Sequence, residues 1–516
     1  MEVSIIGAGM AGLSAAIWLA KHGVSCNLIS SHPSVQAQSV LAEGGINAAM
    51  DTMSESDTIQ EHYEDTLKGG AYLADEDAVF TLTSRAPEIV KWLIGLGVPF
   101  NSQDGKLVLR PFGGQHKKRT AYAKSSTGKM IITALIDEAR KYEVQGLIQR
   151  YSQHVLCDLL IDKGCEGVVV QDIYTKKQLA FHSPVILAYG GLNGLFPYMT
   201  TGTTANTGNA AAICLQKGVH FGNLEMIQYH PTTIPISSKR CLISEAARGE
   251  GGRLFVIRDG KPWYFMEEKY PQLKNLMPRD VVSREMTALK DTVYLDMTSI
   301  PQTSWYHKLS DLKEEITHYL KLNPEKEAIP VAPGIHYFMG GIDTDYRHQT
   351  NFENLYAAGE CTCRYHGANR LGGNSMLGAL LGGRIAAESI LEQEREISCM
   401  QQTALTYDVR YSKPLANQIG QILLDAMGIL RDENSLKQGL DALEKLEPEY
   451  EMDKWRIQFA KAMIECALWR KESRGAHYRL DYPFTDDQFQ RMSIVYKKDD
   501  EWNYTCRDLD HSGGAL

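Results

Sequence analysis

The sequence predicts an α/β chain in which a Rossmann-like dinucleotide-binding domain carries an inserted α+β domain and is followed by a helical domain. A strand–turn–helix–strand unit opens the chain, the texture changes between about 229 and 339, and helical periodicity dominates from about 397.

Val3 to Ile6 is a short apolar run that reads as a buried strand. Gly7-Ala8-Gly9-Met10-Ala11-Gly12 is a tight turn, and Leu13 to Lys21 has helical spacing through Leu13, Ala16, Ile17 and Ala20. A second strand follows at Val24 to Ile29, completing the first half of a nucleotide-binding sheet. Helical patterning recurs at Ile131 to Tyr142, and a strand at Pro184 to Ala188 runs into Gly190-Gly191. Between 229 and 339, Pro, Trp and Tyr are interspersed among short mixed elements, as in an inserted capping domain. Strand-like Leu355 to Ala358 and a Gly-rich stretch from 367 to 383 return to the first domain. Later, Leu415, Ile419, Ile422 and Ala426, then Trp455, Phe459, Met463 and Cys466, each fit one helical face. The expected division is 1–228 with 340–396, a capping domain at 229–339, a helical domain at 397–480 and a tail at 481–516.

A length of 516 residues is too great for one core, and 43% hydrophobic with 23% charged residues argues against disorder. The net charge of -9 makes nucleic acid an unsuitable partner. The ten cysteines are scattered, with Cys361-x-Cys363 the closest pair, so neither a CxxC nor a ferredoxin-like run exists and no metal site is expected. No apolar run approaches ~18 residues. With a strand opening the chain, a cytoplasmic location is expected, peripheral at the membrane's cytoplasmic face if a partner tethers it.

Gly7, Gly9 and Gly12 form GxGxxG between strand and helix. The first permits the turn, the second lets backbone approach a pyrophosphate, and the third allows close helix–strand packing. The second strand ends in Ser30-Ser31, without the acid that takes a ribose hydroxyl in NAD folds. Later motifs choose FAD. Ser39 to Asn47, with Gly44 and Gly45, is a small-residue loop suited to an isoalloxazine face. Glu360 follows a strand as a ribose-binding carboxylate. Asn374-Ser375-Met376 sets a helix N-terminus against the flavin's carbonyl edge.

At this point the chain resembles the flavoprotein family of succinate dehydrogenase, fumarate reductase and L-aspartate oxidase. The matching pieces are Gly7 to Gly12, Ala42 to Gly45, Phe112-Gly113-Gly114 with Arg119-Thr120 and Thr127-Gly128, and Gln228 to Thr232. They continue through Ser244 to Gly252, Pro278 to Asp280, His336 to Gly341, Gly359-Glu360, His366 to Leu371 and Lys471 to His477. A dicarboxylate brings two charges to desolvate, and Arg and His are the groups suited to hold it. The resemblance implies that His336 and Arg370 clamp one carboxylate while His230 and Ser244 hold the other. It implies that Arg279 exchanges the proton, with Glu245 and Arg248 relaying it, and that hydride passes between flavin N5 and an alkene carbon. Among the cofactor contacts it implies Ala8, Ala11, Ser30, Gln38, Ser39 and Asn209 alongside the glycines and the later motifs.

Succinate/fumarate is favoured over aspartate because the aspartate oxidases carry Glu where this chain has Phe112. An unpaired buried ammonium there would cost roughly 2 to 5 kcal/mol. The segment Asp481 to Asp487 also looks like the dehydrogenase branch, whereas the length is closer to an aspartate oxidase. Gln38 stands where membrane-bound members have the His that bonds flavin covalently, so non-covalent FAD is expected, a state that favours fumarate reduction. Tyr189 and Asn209 depart from a usual Thr and a frequent Asp. The resemblance further implies a separate iron–sulfur electron-transfer subunit. The alternatives are a free-standing L-aspartate oxidase and a catalytically silent protein that kept the fold; retention of His230, Arg248, Arg279, His336 and Arg370 argues against the latter.

Overall fold

The computed structural model describes residues 2–124, 126–236, 238–393 and 407–510. Strand β1 (Glu2–Ile6) is buried from Val3 onward. Helix α1 (Met10–Lys21) follows it after the glycine turn, and β2 (Ser25–Ser30) pairs with β1 in parallel. The sheet has five strands, with Leu355–Ala357 and Val185–Leu187 on one side of β1 and β2 and Ile148–Ser152 on the other. The registers within this sheet are all parallel. Burial on both faces explains why its strands read as continuous apolar runs. Two helices cover α1: Asn374–Leu391 and Thr127–Val144. Gly383 allows the first of these crossings, since a Cβ there would lie 2.1 Å from the Ala11 carbonyl oxygen.

Residues 227–338 build a six-stranded sheet of their own, with Ile227–Pro235 and Ile329–Phe338 as adjacent antiparallel strands that enter and leave it. Its helices and strands close on a separate core that includes Ile234, Leu254, Phe265, Val282, Trp305 and Val331. The helix Arg279–Leu289 packs on the strand Ile227–Pro235, which places Arg279 over the returning strands.

The C-terminal helices Lys413–Ala426, Glu433–Glu444 and Glu451–Trp469 join the core that also holds Val185, Leu187 and Leu355. On the first, Leu423 rather than Ile422 completes the buried face with Leu415, Ile419 and Ala426. The expected boundary at 396–397 lies outside the described residues. The segment from 481 contains a hairpin, Met492–Lys498 with Glu501–Arg507, which pairs with Phe221–Gly222. Its turn residues Asp499 and Asp500 both have positive φ, 50° and 64°, the conformation a two-residue hairpin loop requires.

Candidate active site

One cavity of about 460 Å³ runs from the glycine turn, across the Ala42–Gly45 loop, to the residues of the inserted domain. Its first part fits a dinucleotide. Gly7 has φ +121°, and a Cβ there would lie 2.1 Å from the Ala188 carbonyl oxygen. Gly9 caps α1 and faces open space apart from Ser39 and Ala37, so its backbone is free to meet a pyrophosphate at the helix N-terminus. Gly12 does not line the cavity. The space beside it is filled by the Gly7 carbonyl oxygen, and it works by packing.

Ala8, Ala11, Ser30, Gln38, Ser39, Gly44, Gly45, Asn209, Glu360, Ser375 and Met376 all line the cavity. Ser39 Oγ accepts from Met10 N–H, tying the loop to the turn, and Gln38 Oε1 accepts from Thr203 N–H. Asn209 Oδ1 is taken by Arg456. Burial raises the Glu360 carboxyl to about 7, although it accepts from Phe338 N–H at 3.2 Å. Asn374 departs from expectation: it does not line the cavity. Its amide accepts from Asn47 and pairs with His62, and it donates to Thr66, all within 2.8 to 3.0 Å. Those three partners turn the side chain inward, while Gly373, Ser375 and Met376 face the cavity. Asn374 therefore anchors the start of the helix Asn374–Leu391.

Phe112 lines the cavity and packs its ring against Gly44 and Gly372, where Cβ atoms would lie 3.0 Å from ring carbons. Behind it Arg110 donates to the carbonyls of Glu43 and Gly44 and stacks on Phe112 and Tyr122. Burial, then Glu315, raises the Glu43 carboxyl well above the usual carboxylate range.

At the far end Arg279 Nε and Nη2 donate to Glu245 Oε2 at 2.9 and 2.7 Å. Glu245 Oε1 accepts from Gly113 N–H at 2.8 Å and lies 3.9 Å from Arg248 Nη2. Burial would raise this carboxyl, but Arg279 and Arg248 more than offset it, and it sits below its ordinary value. Arg248 does not line the cavity. Its Nη1 donates to the Asn275 carbonyl at 2.6 Å, and its Nε and Nη2 have no hydrogen-bond partner among the described residues.

His230 and His336 meet edge to face, 5.2 Å apart, on the two adjacent strands. Burial first, and Arg279 next, hold both rings well below the usual histidine range, so they are neutral. His230 Nδ1 sits 3.2 Å from the Thr232 carbonyl oxygen and 3.3 Å from the Thr232 N–H, so Thr232 holds the ring with either nitrogen carrying its proton. Thr201 Oγ lies 2.8 Å from His336 Nδ1 and 3.4 Å from the Ile335 carbonyl oxygen, and so holds the His336 ring from behind. Ser244 caps the short helix Glu245–Gly249 and lines the cavity beside them. Arg370 stacks on Tyr337 at 4.5 Å, and its Nε has no partner among the described residues. Burial, then Arg279, pushes its guanidinium down to about 9.

Two contributors escaped the sequence reading of side-chain roles: Thr201 behind His336, and Gln228, which bridges Arg279 and the carbonyl of Arg370. Gln228 lies in a motif already singled out, but its bridging depends on contacts more than 50 residues away.

Residues 2–376 match the family model described as FAD binding domain, and residues 454–512 match fumarate reductase flavoprotein C-term. The chain is 34% identical to the succinate dehydrogenase flavoprotein subunit of Bacillus subtilis, over 96% of this chain and 93% of that protein. It is also 34% identical to the L-aspartate oxidase of Pyrococcus furiosus, over 96% and 98% respectively. A variant of E. coli quinol fumarate reductase superposes with a TM-score of 0.86 at 26% identity, covering 99% of this chain and 97% of that one. A quinol–fumarate reductase with menaquinol molecules gives 0.89 at 27%, covering 98% of both chains.

Proposed function

The chain belongs to the FAD-dependent flavoprotein family of succinate dehydrogenase, fumarate reductase and L-aspartate oxidase, and from that membership we propose that it interconverts fumarate and succinate, with a bias toward reducing fumarate. The carrying observation is the pairing of Arg279 with Glu245 at the cavity wall, opposite neutral His230 and His336 and beside Arg370.

When bound, FAD supplies the hydride at N5. With the ring protons on Nε2, Arg370 and His336 hold one carboxylate of the dianion, and His230 with the Ser244 hydroxyl holds the other. The histidines contribute hydrogen bonds rather than charge, and the Arg279 charge is paired with Glu245, so Arg370 carries the electrostatic attraction to the bound dianion. Arg279 delivers the proton to the alkene carbon, and Glu245 replaces it from Arg248. An arginine is a poor acid in water. A carboxylate held against it by two hydrogen bonds gives the proton a short return path.

FAD is held without a covalent bond in this reading, because the Gln38 amide is no nucleophile. Electrons arrive through a separate iron–sulfur subunit. Support comes from solved relatives named for a quinol and from cysteines scattered without ferredoxin spacing. No described helix is long and apolar enough to cross a membrane, so attachment to one would be peripheral, through partners on its cytoplasmic face.

The archaeal L-aspartate oxidases, matched along nearly their whole length, carry the second reading. Against it, the cavity offers the ammonium Phe112 and a Glu43 carboxyl held toward its neutral form. With reduced viologen as donor, the purified protein should reduce fumarate, malonate should compete, and L-aspartate should be a poor substrate. Comparable turnover of L-aspartate would reverse the ranking.

A further inference from the structure

The cavity has an end that the dicarboxylate does not reach. Past the glycine turn it continues to the end of β2, where Ser30, Ser31 and His32 line it. In a βαβ dinucleotide fold this is where a carboxylate takes the adenosine ribose hydroxyls. Among the described residues lining the cavity, the only carboxyl groups are those of Glu43, Glu245 and Glu360. Glu245 is engaged by Arg279 and Gly113 N–H, Glu360 follows the strand Leu355–Ala357, which two other strands separate from β2, and Glu43 belongs to the loop beside Phe112. The Asn209 oxygen already accepts from Arg456, and the Ser30 hydroxyl donates to the His32 carbonyl at 2.7 Å. What remains at the end of β2 is a pair: Ser31 Oγ lies 3.0 Å from His32 Nδ1, which fixes the ring, and His32 Nε2 forms no hydrogen bond among the described residues.

From this geometry we infer that His32, oriented by Ser31, recognises the ribose hydroxyls of the adenosine half of FAD in place of the missing carboxylate. One ring nitrogen can accept from, or donate to, a hydroxyl, according to which way the Ser31 hydroxyl points. The assignment concerns the half of FAD remote from the dicarboxylate, so it stands or falls independently of the fumarate reading.

The test uses full-length apoprotein made in a riboflavin-starved host, which needs no flavin removal whatever the linkage. ADP, FAD and FMN are titrated into it by calorimetry. His32→Ala should weaken ADP and FAD by the same factor, roughly tenfold for one lost hydrogen bond, and leave FMN unchanged. Ser31→Ala should weaken both by a smaller factor. His32→Asp restores a carboxylate and should stay within about threefold of the parent for ADP, as a hydroxyl partner allows. Unchanged ADP affinity in His32→Ala overturns the assignment. So does a His32→Asp loss larger than that of His32→Ala, which would place the ring on the diphosphate. If His32→Ala lacks the parent's circular dichroism and melting transition, the Ser31→Ala and His32→Asp titrations decide by the same criteria.

Discussion

Arg279 Nη1 donates to Gln228 Oε1 at 3.1 Å, while Gln228 Nε2 donates to the carbonyl of Arg370 at 2.8 Å. One buried carboxamide thus sets the distance between the proposed proton donor and the proposed carboxylate clamp. Gln228→Leu keeps the volume and removes both contacts. It should lower kcat/KM for fumarate by about 10- to 100-fold, the scale of a small misplacement of reacting groups, with FAD content retained. A variant within about threefold of the parent would assign Gln228 to folding alone.

The flavin linkage is open to a direct check. Since Gln38 offers an amide where a nucleophilic ring would be needed, acid precipitation should release all FAD into the supernatant. Flavin fluorescence that stays with the denatured polypeptide in a gel would contradict non-covalent binding.

Stability should fall on the acid side of pH 6.5. Burial pushes His62 and His366 down to about 3 and His348 to about 4, and it holds His230 and His336 well below the usual range. In the unfolded chain each histidine titrates near 6.5. Below that pH the unfolded state takes up protons that these rings refuse, so the histidine contribution is complete above 6.5 and declines toward about pH 4. Raised carboxyls such as Glu43 and Glu360 take up protons in the fold and offset only part of it. Each ring adds a slope of up to about 1.4 kcal/mol per pH unit. Thermal unfolding followed from pH 7.5 to 4.5 should show Tm dropping from about 6.5 downward; a flat Tm to pH 5 would show that these rings accept protons in the fold.

Much of the fold was legible because its strands are short and apolar and its turns need glycine. Gly7 could be placed from sequence since only a residue without Cβ fits beside Ala188, and Gly9 since it follows in GxGxxG spacing at the start of α1. Of the side chains that the family resemblance gathers, His230, Ser244, Glu245, Arg279, His336 and Arg370 line the cavity, while Arg248 does not. Side-chain direction was not legible where it depends on distant partners. Asn374 turns inward for Asn47, His62 and Thr66, over 300 residues away in sequence, and no local pattern announces that. The neutrality of His230 and His336 likewise follows from burial beside Arg279, which spacing does not reveal. The hairpin from Met492 had a readable signal in its Asp499-Asp500 turn between strand-like runs.

The most direct test of the account is the turnover of Arg279→Ala at saturating fumarate, in protein whose FAD content equals the parent's. Arg279 is proposed to act in the transition state, so kcat should fall by several orders of magnitude while KM changes little. Arg370→Ala, measured alongside, should mainly raise KM, because its guanidinium binds carboxylate in ground state and transition state alike. A near-normal kcat in Arg279→Ala would contradict the proton-shuttle assignment and direct the search for the donor to His230 and His336.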